Sequence, residues 1–179
     1  YYSIVNQVTL MTVNETTPLI VNSNQAFATI YTDACSSGCT LTIGYWKTHA
    51  GFTGNNVDRI TQYLPVTLGC PPPQYSKGAV VSSAAQAAYV LTFNSLTGGA
   101  SNGLNKLAAQ FLAAKLNNLN GASNTTITTQ LTSANTLLCS YGFNAGSWAA
   151  LSSSVKSQIN SVANALDNYN NGLTAVPHC

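Results

Sequence analysis

Groups able to move a proton are scarce in this chain. The carboxylates are Glu15, Asp33, Asp58 and Asp167, and the imidazoles are His49 and His178. Acid–base catalysis needs such a group in a cleft, normally beside a partner that tunes it. No two carboxylates are close in sequence, so a glycosidase-type pair has no local support. His49 is the one plausible base. A Ser or Cys nucleophile with His49 and Asp33 or Asp58 can be drawn, but serine is too abundant for the pattern to be informative. Gly-x-Ser-x-Gly, phosphate-loop and dinucleotide fingerprints are absent from the sequence. The expectation is a protein without enzymatic activity and without a cofactor.

Five cysteines carry the remaining chemistry: Cys35, Cys39, Cys70, Cys139 and Cys179. Cys35, Cys39, Cys70 and His49 are zinc-type ligands, but their spacing matches no familiar finger and contains no Cys-x-x-Cys. Five thiols in a chain so poor in charge fit an oxidising compartment, so disulfides are expected and a metal is not. The default is two intrachain bridges plus one spare cysteine, with the connectivity open. The sequons at Asn14 (Asn14-Glu15-Thr16) and Asn124 (Asn124-Thr125-Thr126) are compatible with glycosylation outside the cell.

Only 6% of the 179 residues are charged, against roughly 25% in an average soluble domain. Asn, Ser, Thr, Gln and Gly must supply the polar surface. Such a surface repels copies of itself weakly, so self-association costs little electrostatically. The net charge is +2 and the cations Lys47, Arg59, Lys77, Lys106, Lys115 and Lys156 are scattered. Nucleic-acid binding requires converging cations and is not expected. No apolar run approaches the roughly 18 residues of a membrane helix. Tyr1 is not an initiator and no signal peptide is visible, so the chain reads as already processed or as trimmed.

Positioning these groups falls to two kinds of element. Residues 1–45 read as a β-rich region. Ile4, Val8 and Leu10 alternate on one face of its first strand, and Val5, Thr9, Met11 and Val13 on the other. Residues 46–80 read as an irregular connection that includes the rigid Cys70-Pro71-Pro72-Pro73. Residues 81–179 carry helical periodicity in about four runs. Ser82 or Ser83 caps the first, and Ser101 or Asn102 starts the second, with Gly121 as its stop. Ile127, Leu131, Ala134 and Leu138 mark the third. Trp148, Leu151, Val155, Ile159, Val162, Leu166 and Tyr169 mark the fourth, with Gly172 at its end. The expected fold is α+β: an N-terminal antiparallel β region followed by a helical bundle, disulfide-stabilised and forming one domain.

Cys39-Thr-Leu-Thr-Ile-Gly-Tyr-Trp-Lys-Thr-His49 resembles a recurrent block of secreted prokaryotic proteins, Cys-Thr-x-Thr-x-Gly-Tyr-Trp-Lys-x-His. Leu64-Pro-Val-Thr-Leu-Gly69 and Leu107-Ala-Ala-Gln-Phe-Leu-Ala-Ala-Lys-Leu-Asn117, with Gly121-Ala122 after it, resemble that family's later blocks in the same order. Ile43, where Gln is usual, and the prolines at 71–73 depart from the pattern. The resemblance spans residues 39 to about 139. It implies secretion or surface exposure and implies no activity. Within the first block, Tyr45, Trp46, Lys47 and His49 read as a structural corner, with the aromatics packed inward and Lys47 and His49 bonded to nearby carbonyls. The alternative is a ligand surface on which Trp46 stacks a sugar.

Taken together, the sequence reads as an extracellular structural protein whose main partner is itself, as the subunit of a filament, pilus or surface layer. Residues 3–13, through Ile4, Val5, Val8, Leu10 and Val13, are placed to add to a neighbour's sheet edge. The alternatives are a monomeric secreted module binding a glycan or other ligand and, third, an extracellular hydrolase.

Overall fold

A computed structural model describes residues 38–51, 56–70, 77–94, 102–142 and 145–179. Cys35, the sequon at Asn14 and the strand proposed over residues 3–13 lie outside them. The elements are α1 (Ile43–Thr48), a 3-10 turn (Thr61–Tyr63), β1 (Val66–Cys70), β2 (Lys77–Val81), α2 (Ala84–Leu91), α3 (Gly103–Leu119), α4 (Thr128–Tyr141), α5 (Ala145–Ala149) and α6 (Ser153–Asn170). The fold is α+β, mostly helical, with β1 and β2 paired antiparallel. All described residues fall within one compact unit, Cys35–Cys179.

Helix starts follow the capping residues. Ser83 accepts from Gln86 N, Asn102 from Leu104 N and Asn105 N, and Ser152 from Val155 N. Each satisfies N–H groups that have no partner inside the helix. The helix ends use glycine where the backbone turns left-handed: Gly121 follows α3 at φ 98° and Gly172 follows α6 at φ 66°. A Cβ at Gly172 would also lie 2.4 Å from His178 N, so the close return of the C-terminal tail independently requires glycine.

α3 is the centre of the core. Its predicted stripe of Leu104, Leu107, Ala108, Phe111, Leu112 and Leu116 is buried, and so are Ala109, Ala113 and Ala114 on its other sides. A helix buried nearly all round is a core helix, and small alanines are what allow α6, α2, α4 and β1 to approach it together. Ile159, Ala163, Leu166 and Tyr169 of α6 complete the packing.

Three local expectations are corrected. Residues 46–80 are not merely irregular: they hold the second half of α1 and all of the described sheet except Val81. The sheet escapes a pattern search because Gly69 and Gly78 interrupt its alternation. α4 packs against Gly69, where a Cβ would meet the Leu138 backbone at 3.0 Å. Residues 40–43 are no strand. Thr40 makes a single parallel bridge to His178, and the Thr42 side chain then starts α1 by accepting from Tyr45 N. The fourth helical run is also two helices, because Ser152 caps a new one and leaves Trp148 on α5.

Two disulfides clamp the fold: Cys39–Cys179 and Cys70–Cys139. The first joins the C-terminal tail to the segment leading into α1. There Thr40 N donates to Pro177 O at 2.8 Å and Cys179 N to Thr40 O at 3.0 Å. The second ties the end of β1 to α4.

Candidate functional site: the Tyr-Trp-Lys-x-His corner and an open sheet edge

The corner is built from Trp46. Its ring is 1% exposed, and its Nε1 donates to Asn117 Oδ1 at 2.9 Å. The same Oδ1 accepts from Leu41 N at 2.9 Å, while Asn117 Nδ2 donates to Leu41 O at 2.9 Å and Asn170 Oδ1 at 3.0 Å. Asn170 in turn donates to Gln110 O and Oε1, and Gln110 Nε2 donates to Asp167 Oδ1 at 2.7 Å. One buried amide chain therefore joins the segment before α1 to α3 and α6. Buried polar groups are tolerated only when bonded in this way.

The remaining corner residues lie outward. Tyr45 is half-buried and packs edge-on to Trp46. His49 stacks on Tyr45 with ring centroids 4.0 Å apart, and its Nδ1 lies 2.8 Å from Tyr45 O. A carbonyl only accepts, so Nδ1 carries the proton when this bond is made. Lys47 is exposed. Trp46 offers no open face to a sugar.

No triad forms around His49 among the described residues. Asp58 caps the adjacent turn instead, accepting from Ile60 N at 2.9 Å and from the N–H and hydroxyl of Thr61. Partial burial raises its pKa, but the Thr61 hydroxyl and the backbone N–H groups of Ile60, Thr61 and Gly51 outweigh that and hold it below the usual carboxylate value. Asp33 lies outside the described residues. Cys39 and Cys70 belong to different disulfides, so they cannot join His49 as metal ligands. Asn124 sits half-buried in the turn before α4, its carbonyl accepting from Ile127 N and from Thr128 Oγ1.

The three sequence blocks that carry the resemblance meet in space. Asn117 of the third holds Leu41 and Trp46 of the first. Lys115 of the third donates to Thr67 O of the second at 2.8 Å. Nothing in the local sequence pattern singles out Asn117 as the node. The available signal is a polar residue one position after Leu116 on a helix whose buried residues also include Asn105 and Gln110. Lys115 also lies 4.7 Å from the Phe111 ring centre, and burial lowers its pKa. It forms part of a groove of about 630 Å³ between the start of β1 and helices α3 and α4, with Leu131, Thr132 and Asn135 on the far wall.

No family model, no curated protein and no solved structure matches this chain.

The sheet is asymmetric at its edges. Thr67 turns its carbonyl away from β2, toward Lys115, and α4 covers Gly69. The outer edge of β1 is thus occupied. Leu68 O and Cys70 N face β2, each within 2.6 Å of where a Cβ on Gly78 would stand. Antiparallel pairs alternate between bonded and unbonded residues. With Thr67 opposite Val80 and Gly69 opposite Gly78, Val80 and Gly78 direct their own N–H and C=O groups outward. No described residue pairs with them there. Val80 is also 39% exposed.

Proposed function

We propose that this chain is a non-enzymatic structural protein of the cell exterior, which assembles with copies of itself by β-strand addition into a filament, pilus or surface layer. The observation that carries the reading is the outer edge of β2, with which no described residue pairs. An edge with free N–H and C=O groups is a template for another strand. Residues 3–13 supply a strand of suitable character: alternating, uncharged and rich in Val, Leu and Ile. Low overall charge removes the repulsion that would keep copies apart. Extracellular location is supported by the two disulfides and by the resemblance of residues 39–49 to secreted prokaryotic proteins.

Native material examined by electron microscopy and size-exclusion chromatography tests the reading. The full chain is expected to form ordered polymers. A variant lacking residues 1–13 is expected to remain monomeric while keeping its helical circular dichroism. A full chain that stays a monodisperse monomer at high concentration would sink the proposal, and unchanged polymers from the deletion variant would exclude the strand-addition mechanism.

A further inference from the structure

Lys115 places a cation in uncharged surroundings. It leaves α3 half-buried, with Nζ 2.8 Å from Thr67 O and 4.7 Å from the centre of the Phe111 ring. Among the described residues that line the groove of about 630 Å³ between β1, α3 and α4, it is the only titratable one. The described acidic side chains are engaged elsewhere: Asp58 caps the turn at Ile60 and Thr61, and Asp167 accepts from Gln110 and Asn171. Lysine is rarely withdrawn from water without an anion, because nothing then offsets its lost hydration. That loss is what lowers the Lys115 pKa. An ammonium has three N–H donors. Thr67 O takes one, and no other described acceptor bonds Nζ.

The far wall has the complementary chemistry. Thr132, Asn135 and Thr136 lie three and four positions apart, on one face of α4. The Thr132 and Thr136 hydroxyls donate to Thr128 O and Thr132 O within the helix. Their protons are thus spent, and their oxygens face a ligand as acceptors. A fatty acid has no donors to offer such a wall, whereas a sugar has several. Leu131 and the exposed Leu119 add apolar surface on which the C–H face of a sugar ring packs. The volume is that of a site for a small ligand. We infer that this groove binds a saccharide bearing a carboxylate, of the uronic acid class, with the acid on Lys115 and ring hydroxyls donating to Thr132, Asn135 and Thr136. The site is built within one copy and does not depend on assembly.

Titration of the full chain with a galacturonic acid trisaccharide, followed by NMR, tests this. Shifts are expected at the groove, and the Lys115 pKa is expected to rise as the ion pair forms. The methyl-esterified trisaccharide has the same skeleton without the charge and is expected to bind about tenfold more weakly. Lys115→Gln keeps an N–H donor for Thr67 O and is expected to lose about the same factor for the acid. Lys106→Gln removes the same charge from α3 at a side chain bonded to Asn164, outside the groove, and is expected to stay within about twofold of wild type. Melting temperatures confirm that each variant folds. If Lys115→Gln does not, Asn135→Ala on the opposite wall takes its place, with an expected loss of about three- to tenfold. Four results would each overturn the inference: no shift at about 10 mM trisaccharide, ester and acid binding equally, Lys106→Gln weakening binding as much as the groove variant, or octanoate binding more tightly than the uronate.

Discussion

Asn117 concentrates more of the local order than any residue of the Tyr-Trp-Lys-x-His block itself. Its amide satisfies Leu41 N, Leu41 O, Trp46 Nε1 and Asn170 Oδ1, all in the interior. Leucine has nearly the same shape and can satisfy none of them. Asn117→Leu is therefore expected to destabilise the fold by about 3–5 kcal/mol, because an orphaned buried group costs about 1–3 kcal/mol and the four losses are not additive. Urea unfolding checks this. A loss below about 1 kcal/mol would mean that water replaces the amide and that the node is not structural. His49, by contrast, is half-buried and its ring bonds Tyr45 O and Thr48 and stacks on Tyr45 at the surface, so its replacement should cost far less.

At the scale of elements, the meeting of α5 with α3 decides an outcome that propensity gets backwards. Gly103 opens α3, and alanine in a helix is normally favoured over glycine by about 1 kcal/mol. Here a Cβ would stand 2.2 Å from Trp148 Cη2, with two more ring atoms within 3 Å. The indole of α5 lies across the helix start, and Lys156 of α6 covers it at 5.6 Å. Gly103→Ala should therefore lower the melting temperature instead of raising it, by an amount equivalent to about 1–3 kcal/mol of overpacking. Combining it with Trp148→Ala should remove most of that penalty. An increase in melting temperature for Gly103→Ala alone would show that α5 gives way easily.

For the whole molecule, the disulfides set how much chain is tied down. Cys39–Cys179 spans 140 residues and Cys70–Cys139 spans 69. In the chain-entropy picture each constrains the unfolded state by about 4–5 kcal/mol, the longer loop slightly more. Replacing either pair with alanine should reduce stability by up to that amount, and reductant should have the same effect on the intact protein. Equal denaturation midpoints with and without reductant would contradict this. The Cys39–Cys179 bridge lies beside the Thr40–His178 bridge and ties the C-terminal tail to the segment that leads into α1.

Much was legible from residue order alone, because helix starts, stops and stripes are local. Ser83, Asn102, Gly121 and Gly172 mark their boundaries by their own side-chain chemistry or freedom of φ, with no distant partner needed. The scarcity of acid–base groups and the expectation of two bridges were likewise readable by inspection. What the sequence could not supply was anything that depends on which surfaces meet. The cysteine pairing, the burial of Trp46 and the bond from Lys115 to Thr67 are contacts across tens of residues, and no spacing rule encodes them. The β1–β2 pair is hard to read because Gly69 and Gly78 interrupt its alternation, and the packing of α4 on Gly69 is a tertiary contact. Lys115 reaches Thr67 O on β1 while no described residue pairs with the outer edge of β2, so the difference between the two edges is decided by tertiary packing and not by residue order.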